Sequence, residues 1–286
     1  VKMPIDKITG VAFTAIDELS GIAKASIANV SGIAAASGGG IITDNLVQHL
    51  DAGNSSSYPG TGTTWSDLSG NGTDATMVNS PTYSATVGGG SFSFDGVDDG
   101  FKLAASTSAP IRPSETDLNN DGFTVQIWCK ISGTNSLPRY WNNNMFNQSK
   151  YRGLKCIYDA RTAYGGRMIM YKFDNDGGSG SGSRRSVVLS QFSIPTDFVL
   201  FTYRYDTADY DDWRMFQNDS KGTSYSKSGF GSSVGYDATD DGGLMMSRNE
   251  TLVGEGIISE VIVYDVALTD QEVVDNFDNT KARYGY

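Results

Sequence analysis

Phe123-Thr124-Val125-Gln126-Ile127-Trp128-Cys129-Lys130-Ile131 is the stretch on which the fold turns. A strand sends successive side chains to opposite faces. Phe123, Val125, Ile127, Cys129 and Ile131 therefore share one apolar face, and Thr124, Gln126, Trp128 and Lys130 share the other. Similar runs lie on both sides. Upstream are Leu46–Leu50, Phe92–Phe94 and Phe101–Leu103, the last two flanking a turn at Asp95–Gly100. Downstream are Leu154–Tyr158, Arg167–Phe173, Val187–Phe192, Phe198–Tyr205, Trp213–Asn218, Leu244–Ser247 and Ile257–Tyr264. Short strands at this spacing, separated by turn residues, predict an all-β sandwich. One helix is predicted near the end: Thr269 and Glu272 form a capping box, followed by the apolar Val273, Val274 and Phe277.

Composition agrees. The 286 residues include 34 Gly and 15 Tyr with only 19% charged side chains, a profile of strands and tight turns rather than of helical bundles. The net charge of −11 repels phosphate backbones, so no nucleic-acid partner is expected. Acidity suits either solubility or cation binding at Asp-rich loops. Cys129 and Cys156 are the two cysteines; both sit in apolar strand-like runs and read as buried thiols, with a single bridge open if their strands are neighbours. No apolar run approaches the ~18 residues of a membrane span, so no membrane partner is expected. Val1–Lys7 has no long apolar run behind a basic start, so no secretory leader is read here and the chain is expected to stay in the cytosol where it is made or to leave by another route.

Residues 1–40 differ from the rest. Gly10, Gly21 and Gly32 recur every 11 residues, each followed by Val or Ile and then Ala. The apolar set Ile8, Val11, Ile16, Leu19, Ile22, Ile27, Val30 and Ile33 follows a helical stripe at 3.67 residues per turn. A glycine at every eleventh place weakens a continuous helix, so short helices broken at the Ser-Gly pairs are the alternative. Either form needs a partner surface: its own sandwich, a sister chain or another protein. The arm is read as an anchoring or oligomerisation segment, and a homo-oligomer is expected. Ser37-Gly38-Gly39-Gly40 is a flexible joint, with a sandwich domain spanning 41–286 beyond it.

Several runs resemble a known family. His49-Leu50-Asp51-Ala52-Gly53-Asn54, Thr64-Trp65-Ser66-Asp67-Leu68-Ser69-Gly70-Asn71-Gly72, Ser93-Phe94-Asp95-Gly96-Val97-Asp98-Asp99 and Ile258 through Glu272 keep the order seen in laminin-G-like domains of phage and bacterial surface proteins. The resemblance covers roughly Leu46 to Tyr286. It implies a two-sheet, concanavalin A-like jelly roll; with the repeat and the capping box, the fold expected is that jelly roll carrying a helical or irregular N-terminal arm and one short C-terminal helix. The repeat is similar to segments in structural proteins of marine and cyanobacterial phages.

Three chemistries are open to residues of these types: catalysis, metal binding and glycan binding. For catalysis, related glucanases place acidic residues on alternate positions of one strand, and no Glu-x-Asp-x-x-Glu or Glu-x-Asp-x-Glu run occurs here. The single histidine, His49, lies inside a strand and reads as structural. No enzyme activity is expected, and no catalytic residue is assigned. For metal, calcium takes oxygen ligands from acidic loops. The candidates are Asp95, Asp98 and Asp99, joined by Asp67 and Asn71, and separately Asp117, Asn119 and Asp121; Asx turns without an ion are the alternative. For glycans, a sugar ring stacks on an exposed aromatic beside polar side chains. Trp128, the group Tyr140, Trp141 and Asn143, and the group Tyr210, Asp212, Trp213 and Arg214 are the candidates, with packing or a subunit interface as the competing reading.

The function expected is that of a phage virion structural protein, a decoration, fibre or tail-associated component. Its partners would be other virion proteins or sister subunits and cell-surface glycans. The alternatives are a free-standing extracellular adhesion protein and, disfavoured, a glycoside hydrolase.

Overall fold

The alternation in 123–131 is realised in full. A computed structural model describes residues 18–19, 22–23, 29–30, 33–34, 40–103, 122–131, 144–147, 153–159, 166–173, 184–192, 195–206, 214–222, 226–228, 242–246 and 254–286. Four two-residue strands come first: Glu18–Leu19 (β1), Ile22–Ala23 (β2), Asn29–Val30 (β3) and Ile33–Ala34 (β4). The sandwich strands follow in chain order. They are Leu46–Asp51 (β5), Thr64–Trp65 (β6), Ala75–Val78 (β7), Thr82–Ser84 (β8), Ser91–Asp95 (β9), Gly100–Leu103 (β10), Phe123–Ile131 (β11), Asn144–Asn147 (β12) and Gly153–Asp159 (β13). Next are Arg167–Phe173 (β14), Arg184–Gln191 (β15), Val199–Tyr205 (β16), Arg214–Gln217 (β17), Ser220–Lys221 (β18), Ser226–Ser228 (β19), Gly242–Leu244 (β20) and Glu255–Tyr264 (β21).

One sheet runs β18-β17-β16-β11-β21-β9-β8, with β5 also paired to β21; the other runs β19-β15-β14-β13-β12-β20-β10-β7-β6. β11 sits between β16 and β21. Its odd positions all enter one core with Trp65, Phe92, Phe101, Tyr158 and Phe201. Among the contacts that cross that core, Tyr158 stacks on Phe201 with centroids 4.8 Å apart, and the Tyr203 hydroxyl donates to the Ile157 carbonyl at 3.0 Å. The cysteines face each other's layer from different sheets, buried and unbridged, and burial pushes both thiols well above their ordinary range. β9 and β10 flank 95–100 as the sequence predicts, but they belong to different sheets, so this segment crosses between layers instead of closing a hairpin.

The predicted helix is Asp270–Thr280 (α1), and its capping box is complete: Thr269 Oγ1 accepts from the Glu272 N–H at 3.2 Å and Glu272 Oε2 accepts from the Thr269 N–H at 2.7 Å. Asp270 in its first turn meets Arg204 Nη1 and Lys221 Nζ, each at 2.6 Å. Ile41 and Ile42, just past the glycine joint, pack beside the helix. The helical stripe expected of the arm is not what the described residues form. β1 pairs with β2 and β3 with β4, antiparallel. Leu19, Ile22, Val30 and Ile33 lie in these strands; Ile8, Val11, Ile16 and Ile27 lie outside the described residues.

Candidate functional site

The even positions of β11 face away from the core, as the sequence implies, but Thr124, Gln126 and Trp128 are buried there and only Lys130 reaches water. Thr124 Oγ1 donates to the Val266 carbonyl at 2.8 Å and accepts from the Leu268 N–H at 3.0 Å. Gln126 Oε1 accepts from Asn276 Nδ2 at 2.6 Å. Trp128 Nε1 donates to Thr280 Oγ1 at 2.8 Å. Two-residue steps along the strand thus meet successive parts of the C-terminal segment, with Asn276 and Thr280 one helical turn apart. The Trp128 ring lies between Tyr284 (3.9 Å, 16°) and Phe277 (5.8 Å, 24°) and has no exposed surface. This corrects its reading as a sugar platform: the indole is a packing anchor, with no free face for a ligand.

A bulge organises the neighbouring polar groups. Trp128 pairs with Glu260 and Cys129 with Ile258, so Ser259 is the extra residue of β21. Ser259 and Glu260 consequently both meet the C-terminal turn. Ser259 Oγ donates to the Gly90 carbonyl at 2.6 Å and accepts from Arg283 Nη2 at 3.0 Å. The Tyr284 hydroxyl lies 3.1 Å from Ser259 Oγ and 3.2 Å from Glu260 Oε2. Glu260 Oε1 meets His49 Nε2 at 2.8 Å, and Arg283 Nη1 meets Asp51 Oδ1 at 2.6 Å. Arg283 also donates to the Gly88 carbonyl at 2.8 Å. Gly90 permits the approach: φ is +125°, and a Cβ there would fall 2.4 Å from Gly53 Cα.

His49, Asp51 and Glu260 bring three potential metal ligands within 4.8 Å of one another. An ion there would have to break the His49–Glu260 hydrogen bond and compete with Arg283 for Asp51. The groups already satisfy one another, so the cluster is a fastening that ties β5, β21 and the C-terminal turn together. Nothing in the spacing pointed to it, because the bulge breaks the period of two; the one visible signal was a lone acid, Glu260, in an apolar strand.

The two acidic turns divide. Asp67 Oδ1 accepts from the His49 and Ser69 N–H groups at 2.8 and 2.9 Å, and Oδ2 from Ser69 Oγ at 2.6 Å and the Thr73 N–H at 3.2 Å. Burial pushes this carboxyl up, but these donors outweigh it and hold it below the usual carboxylate range. Asn71 Nδ2 donates to the Leu46 carbonyl at 3.1 Å. This turn is closed on itself. In the other turn, Asp95 Oδ1 accepts from the Val97 N–H at 2.8 Å and Asp99 Oδ1 from the Asp95 N–H at 3.1 Å. Asp95 and Asp98 are exposed and Asp99 is buried. Burial, then the nearby Asp95 and Asp98 charges, push Asp99 up to about 6 against the opposing backbone hydrogen bond. The turns do not share an ion. Asp95 pairs with Glu255, whereas His49, which holds Asp67, pairs with Ile262. Seven residues of β21 separate them, about 23 Å.

The remaining candidates, Asp117, Asn119, Asp121, Tyr140, Trp141, Asn143, Tyr210, Asp212 and Trp213, lie outside the described residues. Their points of departure are described. Ile131 and Phe94 both pair with Gly256, so the stretch leading to Tyr140, Trp141 and Asn143 starts from the same end of the sheet as the 95–99 turn. Phe123 pairs with Tyr205 at the opposite end, and Arg204 with Arg214. The stretch holding Asp117, Asn119 and Asp121 joins there, as does the one holding Tyr210, Asp212 and Trp213.

No family model matches the chain, and no curated protein matches it. Solved structures do. A botulinum neurotoxin serotype D binding domain is similar over 83% of this chain and 52% of its own, at 12% identity and a TM-score of 0.55. The binding domain of Paraclostridial Mosquitocidal Protein 1 is similar over 82% and 52%, at 15% identity and a TM-score of 0.52. Trypanosoma rangeli sialidase in complex with sialic acid is similar over 86% and 35%, at 13% identity and a TM-score of 0.51. The chain spans about half the length of the toxin domains and about a third of the sialidase. At these identities the likeness establishes the fold alone: an all-β, two-sheet sandwich.

Proposed function

We propose that this chain is a non-catalytic, glycan-contacting sandwich domain of a phage particle, attached through its N-terminal repeat. The observation that carries the recognition part is the closure of the β11 sheet by its own C-terminal segment. That face is filled, and the chain leaves the sheet toward the acidic and aromatic candidates from its two ends, so glycan contact is assigned to those ends. The similar folds support this use: two belong to toxin binding domains and one to a sialidase solved with sialic acid. Sandwich loops that pair an aromatic face with carboxylates and amides suit a sugar ring and its hydroxyls. Calcium belongs to the proposal at the 95–99 turn, where a cation would let the buried Asp99 ionise beside Asp95. The absence of an enzyme's acid pair rests on the sequence; His49 is engaged by Glu260 rather than held toward solvent.

The particle context rests on the repeat and its resemblance to phage structural segments. Comparing particle incorporation of the full chain with a chain lacking Val1–Gly40 tests it. The proposal predicts that the shortened chain folds, retains glycan binding and fails to incorporate. Incorporation at the full-length level would reject the arm as anchor and favour a free-standing adhesion protein.

A further inference from the structure

Among the described residues, Val87, Val97 and Tyr286 are the exposed large apolar side chains. Two of them meet at Phe198. The Tyr286 hydroxyl donates to the Phe198 carbonyl at 2.7 Å, and the Phe198 ring lies so close to Gly88 that a Cβ there would fall 2.7 Å from it. Tyr286 is 52% exposed and Val87 40%. The Tyr286 ring is nonetheless held in place: it meets Phe277 edge-to-face with centroids 5.5 Å apart and tilts on Trp128 at 6.1 Å. With its hydroxyl engaged, the residue presents its ring to solvent. A ring fixed before binding loses little freedom when a ligand stacks on it. Ion pairs border this ledge. Lys130 Nζ meets Asp197 Oδ1 at 3.6 Å beside Phe198, and Lys281 Nζ meets Asp278 Oδ1 at 2.6 Å while lying 5.3 Å from the Phe277 centroid. Each pair joins donors to acceptors with no net charge. The ledge sits at the end of the sheet where Ile131 pairs with Gly256 and Lys130 with Ile257.

We propose that Tyr286 and Val87 form a stacking ledge for a neutral pyranose ring, whose hydroxyls are met by the Lys130–Asp197 and Lys281–Asp278 pairs. The size of the patch argues for a sugar: one aromatic ring and one valine match the C–H face of a single pyranose, whereas a protein partner needs about 800 Å² on each side. The rim argues for a neutral one. A hydroxyl both donates and accepts, so it uses both members of an ion pair, while a carboxylate sugar would meet as many like charges as opposite ones. This rests on the reading of the chain as glycan-contacting, and it names the sugar class and a platform for it.

The test is titration calorimetry of the full chain with maltotriose, cellotriose and mannotriose, and with sialyllactose as the anionic comparison. The variants are Tyr286→Ala, Tyr286→Phe and Asp197→Asn; the control is Gln271→Ala, exposed at the other end of α1. The proposal expects a neutral trisaccharide to bind, about tenfold more weakly after Tyr286→Ala and within about twofold of wild type after Tyr286→Phe, which keeps the ring. It expects Asp197→Asn to weaken binding by about threefold or more, the control to be unchanged, and sialyllactose to bind no tighter than the neutral sugars. Asp197 is 78% exposed, so that variant decides the matter if Tyr286→Ala does not fold. Wild-type binding by a folded Tyr286→Ala or by Asp197→Asn would overturn the ledge, as would tighter binding of sialyllactose or no binding of any neutral trisaccharide. If the chain still binds other glycans on an array, the ledge fails and the glycan reading stands; if it binds none, both fail.

Discussion

The Trp128 indole lies flat on the Tyr284 ring, 3.9 Å between centroids, while its N–H reaches Thr280 on the helix that precedes that tyrosine. One side chain of the central strand thus holds both the helix and the turn after it. Trp128→Ala should lower the unfolding free energy by about 3–5 kcal/mol, and Trp128→Phe, which keeps the stacking but loses the hydrogen bond, by about 1–2 kcal/mol. Urea denaturation measures both. A cost under about 1 kcal/mol for the alanine variant would mean that the C-terminal segment does not seal the sheet.

The bulge cluster gives a second expectation. Arg283→Met removes the partner of Asp51 and the donors to Ser259 and the Gly88 and Gly90 carbonyls, and should cost about 1–3 kcal/mol. Tyr284→Phe retains the stack on Trp128 and should cost about 1 kcal/mol. Urea melts again provide the comparison, and equal costs for the two changes would argue against the guanidinium as the main fastening.

Asp99 links the 95–99 turn to pH. Its folded value of about 6 lies above the unfolded one, so the folded state holds the proton more tightly. That contribution is complete below the ordinary carboxylate value near 4 and is lost as pH rises through about 6. Asp99→Asn should therefore stabilise the apo protein by about 1–3 kcal/mol at pH 8 and by little at pH 4. With calcium at the turn, the order changes: millimolar calcium should raise the wild-type melting temperature and leave that of Asp99→Asn unmoved. A chelator-insensitive wild type would remove calcium from the account.

Asp67 acts in the opposite sense. Its carboxyl is held low, so its contribution is present above the ordinary carboxylate value and is lost as pH falls through the depressed one. Asp67→Ala should destabilise at pH 7 by about 2–4 kcal/mol, since four donors lose their acceptor, and the deficit should shrink in acid. A pH-independent deficit would show that the charge is not what the turn uses.

The strands were legible where one face meets the core. The period of two in 123–131 placed five side chains in the interior correctly, and the capping box placed the helix start. What the alternation did not reveal is the cover on the opposite face. Thr124, Gln126 and Trp128 read as an outward row, yet the helix that buries them lies some 150 residues away in sequence. The bulge at Ser259 was hidden for a related reason: an extra residue in one strand leaves no trace in its own pattern. In the arm, the 11-residue period matched a helix, whereas the described residues that recur at that interval form short antiparallel ladders. The two acidic turns looked alike as sequences; only the pairing of β5 and β9 to different halves of β21 separates them.

The most direct test of the central claim is a glycan array on the full chain, followed by recovery of the bound glycans. The account predicts binding of a defined set, recovered uncleaved, with at least tenfold weaker binding after Trp141→Ala or Trp213→Ala and none of that loss after Trp128→Phe. Cleavage of the bound glycans, or no binding to any of them by a folded protein, would contradict it.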